Sequence, residues 1–147
     1  MPLEVETVLV PVDGTEASIT AAEYATAVAD RYDADVHALY VLGETVTRAI
    51  ETGDVAEEDV VEDTNAFLAD VADLAPESVA VDSSIAYGFS TSRKLQHPGS
   101  VILDAAEDVD ADFLTVPREG MRGEAGDVLE KAAEYVLLYA SQPVLSV

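Results

Sequence analysis

Two kinds of hydrophobic pattern alternate along the chain, short β-branched runs and longer stretches with helical spacing. Residues 5–12 (VETVLVPV) form an apolar run, followed by Asp13-Gly14-Thr15 and a 3.6-period pattern at Ala17, Ala21, Ala25, Val28, Ala29 and Tyr32. This predicts strand, turn and helix. A second strand is predicted over 35–42 (DVHALYVL), then a loop through Gly53. The next helix spans about 56–75, with Val60, Val61, Phe67, Leu68, Val71 and Leu74 on its apolar side and Glu57, Glu58 and Asp59 at its positive N-terminus. Residues 79–86 (VAVDSSIA) predict a third strand ending at Gly88, and His97-Pro98-Gly99 opens a helix over 99–109 buried through Val101, Ile102, Ala105, Ala106 and Val109. A fourth strand at 112–117 (DFLTVP), a helix near 126–140 and a short strand at 143–147 (PVLSV) complete the chain.

Five strands separated by four helices imply one parallel sheet covered on both faces, because parallel neighbours need crossover connections. The fold class is therefore α/β, doubly wound. Ligands of such sheets sit beyond the carboxyl ends of the strands, where strand order reverses. The candidate site thus comprises the loops after Pro11-Val12, Val41, Ala86 and Val116.

Composition narrows the function. The 147 residues suit one domain, 1–147, and 49% are hydrophobic, enough for a single buried core. Thirty acidic against seven basic side chains give a formal charge of −23, which disfavours nucleic-acid partners and a polybasic membrane anchor. Without cysteine there is no disulfide, thiol nucleophile or Cys-ligated zinc site. The N-terminus MPLEVETVLVPV lacks signal-peptide features and no segment approaches 18 apolar residues, so a cytoplasmic location is expected. The carboxylates are spread throughout, the pattern of a whole surface adapted to a halophile's salty cytosol.

Candidate chemistry is sparse. Asp13 fits a capping box with Glu16, and equally a carboxylate accepting hydrogen bonds from a nucleotide base or ribose. Gly14 serves the turn. His37, within a buried strand and without a ligand-like partner, reads as a core histidine. The G-x-G-x-x-G and P-loop signatures are absent, as are a receiver aspartate at the third strand, a Ser/His/Asp set and any metal-ligand spacing. Two histidines leave little for acid–base chemistry at neutral pH.

The opening VLVPVDGTEASITAAEYA, the centre VILDAAEDVDADFLTVP and the close AAEYVLLYASQPVLSV together resemble the universal stress protein family, in order and over nearly the whole chain. The resemblance implies a five-stranded sheet ordered 3-2-1-4-5. It also implies a nucleotide site formed, where retained, by Pro11, Val12, Asp13, Val41, Val116, Gly120 and Lys131. ATP-binding members carry G-x2-G-x9-G-[ST] after the fourth strand; here the spacing falls on Pro117-Arg118-Glu119-Gly120 and then Glu130-Lys131, so only Gly120 matches. Pro117 has no N–H to offer a phosphate and Glu130 adds a repulsive carboxylate.

A nonenzymatic stress-response or regulatory module without cofactor is therefore expected. An ATP-binding switch or slow hydrolase using Asp13, Gly120 and Lys131 is the alternative, and a small-anion or metabolite sensor a third. Residues from Phe89 to His97, including Arg93 and Lys94, form a basic insertion that reads as a solvated loop or a lid. The fifth strand, Val144, Leu145, Ser146 and Val147, has little protection against edge pairing, and a homodimer through it is expected, as the resemblance implies.

Overall fold

The structure, a computed structural model, describes residues 4–87, 98–117 and 124–147, with side chains left aside for Glu44 and 124–131. The elements are β1 (Thr7–Val12), α1 (Glu16–Tyr32), β2 (Asp35–Leu42), α2 (Glu44–Thr52), α3 (Glu57–Asp73), β3 (Val81–Tyr87), α4 (Pro98–Asp108), β4 (Phe113–Val116), α5 (Glu124–Tyr139) and β5 (Val144–Ser146). All pairings are parallel, in the order β3-β2-β1-β4-β5. The predicted class and strand order therefore hold.

The sheet is sandwiched, so its central strands bury both faces. Val8, Val10 and Val12 of β1 pack with Val36 and Ala38 against Ala21, Ala22, Ala25 and Ala29 of α1 and Leu68 and Val71 of α3. On the other face Leu9, Leu39, Val41, Leu114 and Val116 pack against Ile102 and Ala106 of α4 and Ala132, Ala133 and Val136 of α5. Truncating a fully buried leucine such as Leu114 to alanine should cost about 2–5 kcal/mol. The small residues of α1 bring that helix close to the sheet. Gly99 lets α4 lie close against α5, since a Cβ there would lie 2.5 Å from Cβ of Tyr135.

Polar staples set the lower edge of the sheet. The Asp112 carboxylate accepts from the Glu6 N–H at 3.0 and 3.1 Å, tying the entry of β1 to β4. Gln142 Nε2 donates to the Ala111 carbonyl at 3.2 Å just before β5.

Two expectations are corrected. The loop before Gly53 contains α2, so there are five helices rather than four among the described residues. Nine residues make a short helix, and its strongly one-sided polarity lies within the stretch read as loop. On α3 the buried stripe is Thr64, Leu68 and Val71, at i, i+4 and i+7, while Val61 and Leu74 are exposed. Thr64 takes the place that a purely apolar reading gave to its neighbours.

Candidate functional site

Chain reversal at the end of β1 is set by Gly14, whose φ of +87° is open to glycine at no steric cost. A Cβ here would also approach the Tyr40 hydroxyl to 2.8 Å. The turn delivers Asp13 into the protein at the carboxyl end of the sheet, only 6% exposed.

The capping-box reading of Asp13 is corrected by the geometry. The N-cap of α1 is Thr15, whose Oγ1 accepts from the Ser18 N–H at 3.3 Å. Asp13 sits two residues earlier, and its Oδ1 accepts both the Thr15 N–H at 3.1 Å and the Thr15 hydroxyl at 2.5 Å. That arrangement, with both bonds donated by Thr15, is an Asx turn leading into a Thr cap. It fixes the carboxylate in one orientation.

The other oxygen is left over. Asp13 Oδ2 is buried with no hydrogen-bond partner. Burial pushes the Asp13 carboxyl above its ordinary 3.8, against the lowering effect of its bonds to Thr15. A raised carboxyl pKa favours the folded state below the unfolded value, and that advantage is lost as pH rises through the folded one. At neutral pH the buried charge therefore opposes folding. A buried acceptor without a donor costs about 1–3 kcal/mol. Residues that oppose stability in this way concentrate at binding sites.

Asp13 lines a cleft of about 230 Å³ with Tyr40, Val41, Leu42, Gly43, Thr45 and Val46. The wall is the end of β2 and the first turn of α2, a helix whose N-cap, Gly43, provides no side-chain bond. Tyr40 packs edge-on against Phe67 of α3 with ring centres 5.7 Å apart. Burial and the charges of Asp13 and Asp63 raise the Tyr40 phenol above its usual 10, so it stays neutral.

Of the predicted site residues, the cleft brings together Asp13 and Val41. Pro11, Val12 and Val116 are buried at the ends of β1 and β4. Gly120, and the basic insertion from Phe89 to His97, lie outside the described residues, as does the side chain of Lys131. Pro117 is described, buried directly after β4. The α2 residues Thr45 and Val46 were not anticipated; Gly43 as a cap before a strongly amphipathic stretch was the available signal.

His37 also differs from expectation. It is half-buried rather than enclosed, and its Nε2 lies 2.8 Å from Ser84 Oγ on β3. Asp82 faces it across the strand pair. A serine, a histidine and an aspartate thus share one sheet face, a set that linear spacing did not reveal. Asp82 and Ser84 are exposed. Burial lowers the His37 pKa from 6.5, with Asp82 opposing.

Among the described residues no group of three or more metal-ligating side chains occurs, and no helix is long and apolar enough to cross a membrane. A family model described as universal stress protein family matches residues 4–147. The fold is similar to that of a universal stress protein in complex with cAMP, with a TM-score of 0.70, 22% identity and coverage of 99% of this chain and 98% of that one. It is similar to universal stress protein UspA from Lactobacillus plantarum, with a TM-score of 0.68, 21% identity and 99% of each chain covered. A third likeness is to the universal stress protein from Archaeoglobus fulgidus in complex with dAMP, with a TM-score of 0.59, 20% identity and coverage of 99% and 98%. Among curated proteins none matches the chain.

Proposed function

Because the chain belongs to the universal stress protein family, we propose that it acts as a nonenzymatic stress-response or regulatory module whose switch-point cleft takes an adenine-nucleoside ligand without holding ATP tightly. The observation that carries this reading is the unpartnered Oδ2 of Asp13, buried in the wall of the cleft. It asks for a ligand hydroxyl or N–H. Two similar folds hold adenine nucleotides, cAMP and dAMP, which supports the choice of ligand.

The phosphate end argues against ATP. Pro117 stands where the family's phosphate-holding segment begins and contributes no N–H. Glu130 adds a carboxylate and only Gly120 matches the pattern. Calorimetric titration with ATP and Mg²⁺ in concentrated KCl should give binding weaker than about 0.1 mM, or less than about 5.5 kcal/mol. Micromolar affinity would return the chain to the ATP-switch alternative.

The module is cytoplasmic and homodimeric in this reading, and its carboxylate-rich surface is built for high salt. Molar salt shortens the screening length to about 3 Å and relieves self-repulsion at −23. A circular-dichroism melting midpoint that fails to rise with KCl would remove the salt adaptation.

A further inference from the structure

We propose that Ser84 is a covalent modification site, a serine that takes a short acyl group from an uncharged activated ester with His37 as its base. The site goes beyond the adenine-nucleoside reading and lies apart from the cleft, whose part of β2 begins only at Tyr40. His37 alternates with Val36 and Ala38 along β2, so it shares a sheet face with Leu39 and Val41, opposite the face on which Tyr40 packs. The β2–β3 register sets Asp82 beside His37, and Ser84 two residues further along the same face. His37 Nε2 lies 2.8 Å from Ser84 Oγ, the separation at which a hydroxyl donates to a ring nitrogen. In the tautomer protonated at Nδ1, Nε2 is the acceptor, and the base already holds the nucleophile's proton in a hydrogen bond.

The surroundings suit this chemistry. Burial holds the His37 pKa below 6.5, so the ring is neutral at neutral pH and free to take a proton. Asp82 opposes that shift, which means that it stabilises the imidazolium once the proton has arrived; it is the positioning residue. Ser84 is exposed, so a donor reaches its hydroxyl from solvent. β3 is the outer strand, and the bond from the Val36 N–H to the Ala80 carbonyl fixes its alternation: Ala80, Asp82 and Ser84 turn their backbone groups to β2, and Ile85 turns its N–H outward. That N–H, next to the nucleophile, is a donor for the oxygen that becomes negative as the acyl carbon is attacked. In the step itself Ser84 Oγ bonds to the acyl carbon, its proton passes to His37 Nε2, and the bond from that carbon to the leaving phenolate breaks. The phenolate takes the electron pair, and His37 returns its proton to it or to water. The product is an ester of an alkyl alcohol, a far poorer leaving group than a phenol, so hydrolysis lags and transfer stops at one group per chain. Beyond Ser84 the same face is closed by Leu39 and Ala86, packed with Ile102 and Ala106 of α4, which keeps the acyl group short. Asp82 and the overall charge of −23 repel anionic donors and leave the uncharged ones.

The probe is para-nitrophenyl acetate, added to the intact protein at neutral pH across KCl concentrations, with phenolate release followed by absorbance and the acetyl group located by peptide mass mapping. A single acetyl per chain should appear on Ser84. Ser83 is equally exposed but faces the other side of the strand, away from His37, and should take at least about tenfold less. His37→Gln, which can keep a bond to Ser84 but takes no proton, should slow labelling about 10²-fold while melting close to wild type. Asp82→Asn should slow it less, and Asp82→Glu should restore it. Ser84→Ala should remove the label and Ser83→Ala should leave it. Acetyl phosphate, an anionic donor, should label Ser84 faster as KCl rises, whereas the ester rate should stay nearly constant. No label, acetyl on Ser83, lysine or tyrosine as readily as on Ser84, acetyl that remains on His37, or an unchanged rate in His37→Gln overturns the proposal. None of these outcomes alters the reading of the cleft, which calorimetry tests separately.

Discussion

The sheet has two edges, and they are built differently. β3 runs for seven residues and presents Asp82, Ser83 and Ser84 in succession to solvent. β5 has three residues, Val144, Leu145 and Ser146, all half-buried, and no charged group. Beside it the end of α5 exposes Leu137, Leu138 and Tyr139 at 50%, 69% and 65%. An inward-facing charge and short polar side chains guard a strand edge against pairing, whereas a bare apolar edge next to exposed leucines invites it. The contrast gives the two edges opposite characters: β3 is polar and guarded, whereas β5 is the edge at which the proposed homodimer would form.

The largest expected effect is at β5. Wild-type protein should scatter light as a dimer in molar KCl, and Leu145→Lys should remain near 15.5 kDa under the same conditions. Dimerisation should strengthen with salt, because the pair brings together two molecules of −23 each. A variant that dimerises as well as the wild type would place the interface elsewhere. Leu138→Glu, on the flanking helix, should weaken the dimer without abolishing it.

Next in size is the seam that supports the β5 side. α4 and α5 meet with Gly99 against Tyr135, where an added Cβ has no room. Gly99→Ala should destabilise the fold by about 1–3 kcal/mol, read as a lower denaturant midpoint with unchanged slope. An unchanged midpoint would mean that the two helices separate freely.

The same contrast explains how much could be read from the sequence. The strand 35–42 is legible to the residue because a mostly apolar run buried on both faces carries a strong local signal. The edge position of β5 came through the family resemblance, since strand order is not written in local periodicity. α2 was missed because one-sided polarity over nine residues competes poorly with a loop reading. Asp13 was placed at the site, but its bond to Thr15 and its orphaned oxygen depend on the φ of Gly14 and on burial by neighbours distant in sequence. His37 was misread for a related reason: its partners Asp82 and Ser84 lie more than forty residues away and meet it only through β2–β3 register.

At the guarded edge, removing the guard should create a partner site. Asp82→Val takes away the one charged side chain of β3 while leaving Ser83 and Ser84. Weak, concentration-dependent self-association should appear in salt, smaller than the β5 effect, and it should persist when combined with Leu145→Lys. A double variant that stays monomeric at every concentration would show that β3 is protected by something other than Asp82.

The smallest effect comes from the histidine behind that edge. Burial depresses the His37 pKa below its ordinary 6.5, and Asp82 opposes the shift. A depressed histidine binds fewer protons folded than unfolded, so its stabilising contribution is present above the unfolded pKa and is lost as pH falls through the folded value. Because the ring is only half-buried, solvent screening keeps this contribution small. His37→Gln, which can keep a bond to Ser84, should flatten the fall in melting temperature between pH 8 and pH 5 relative to wild type. Asp82→Val should steepen it, because the charge that holds the proton on the folded state is gone. Parallel melting curves for all three proteins across that range would remove His37 from the account of why β3 is the closed edge.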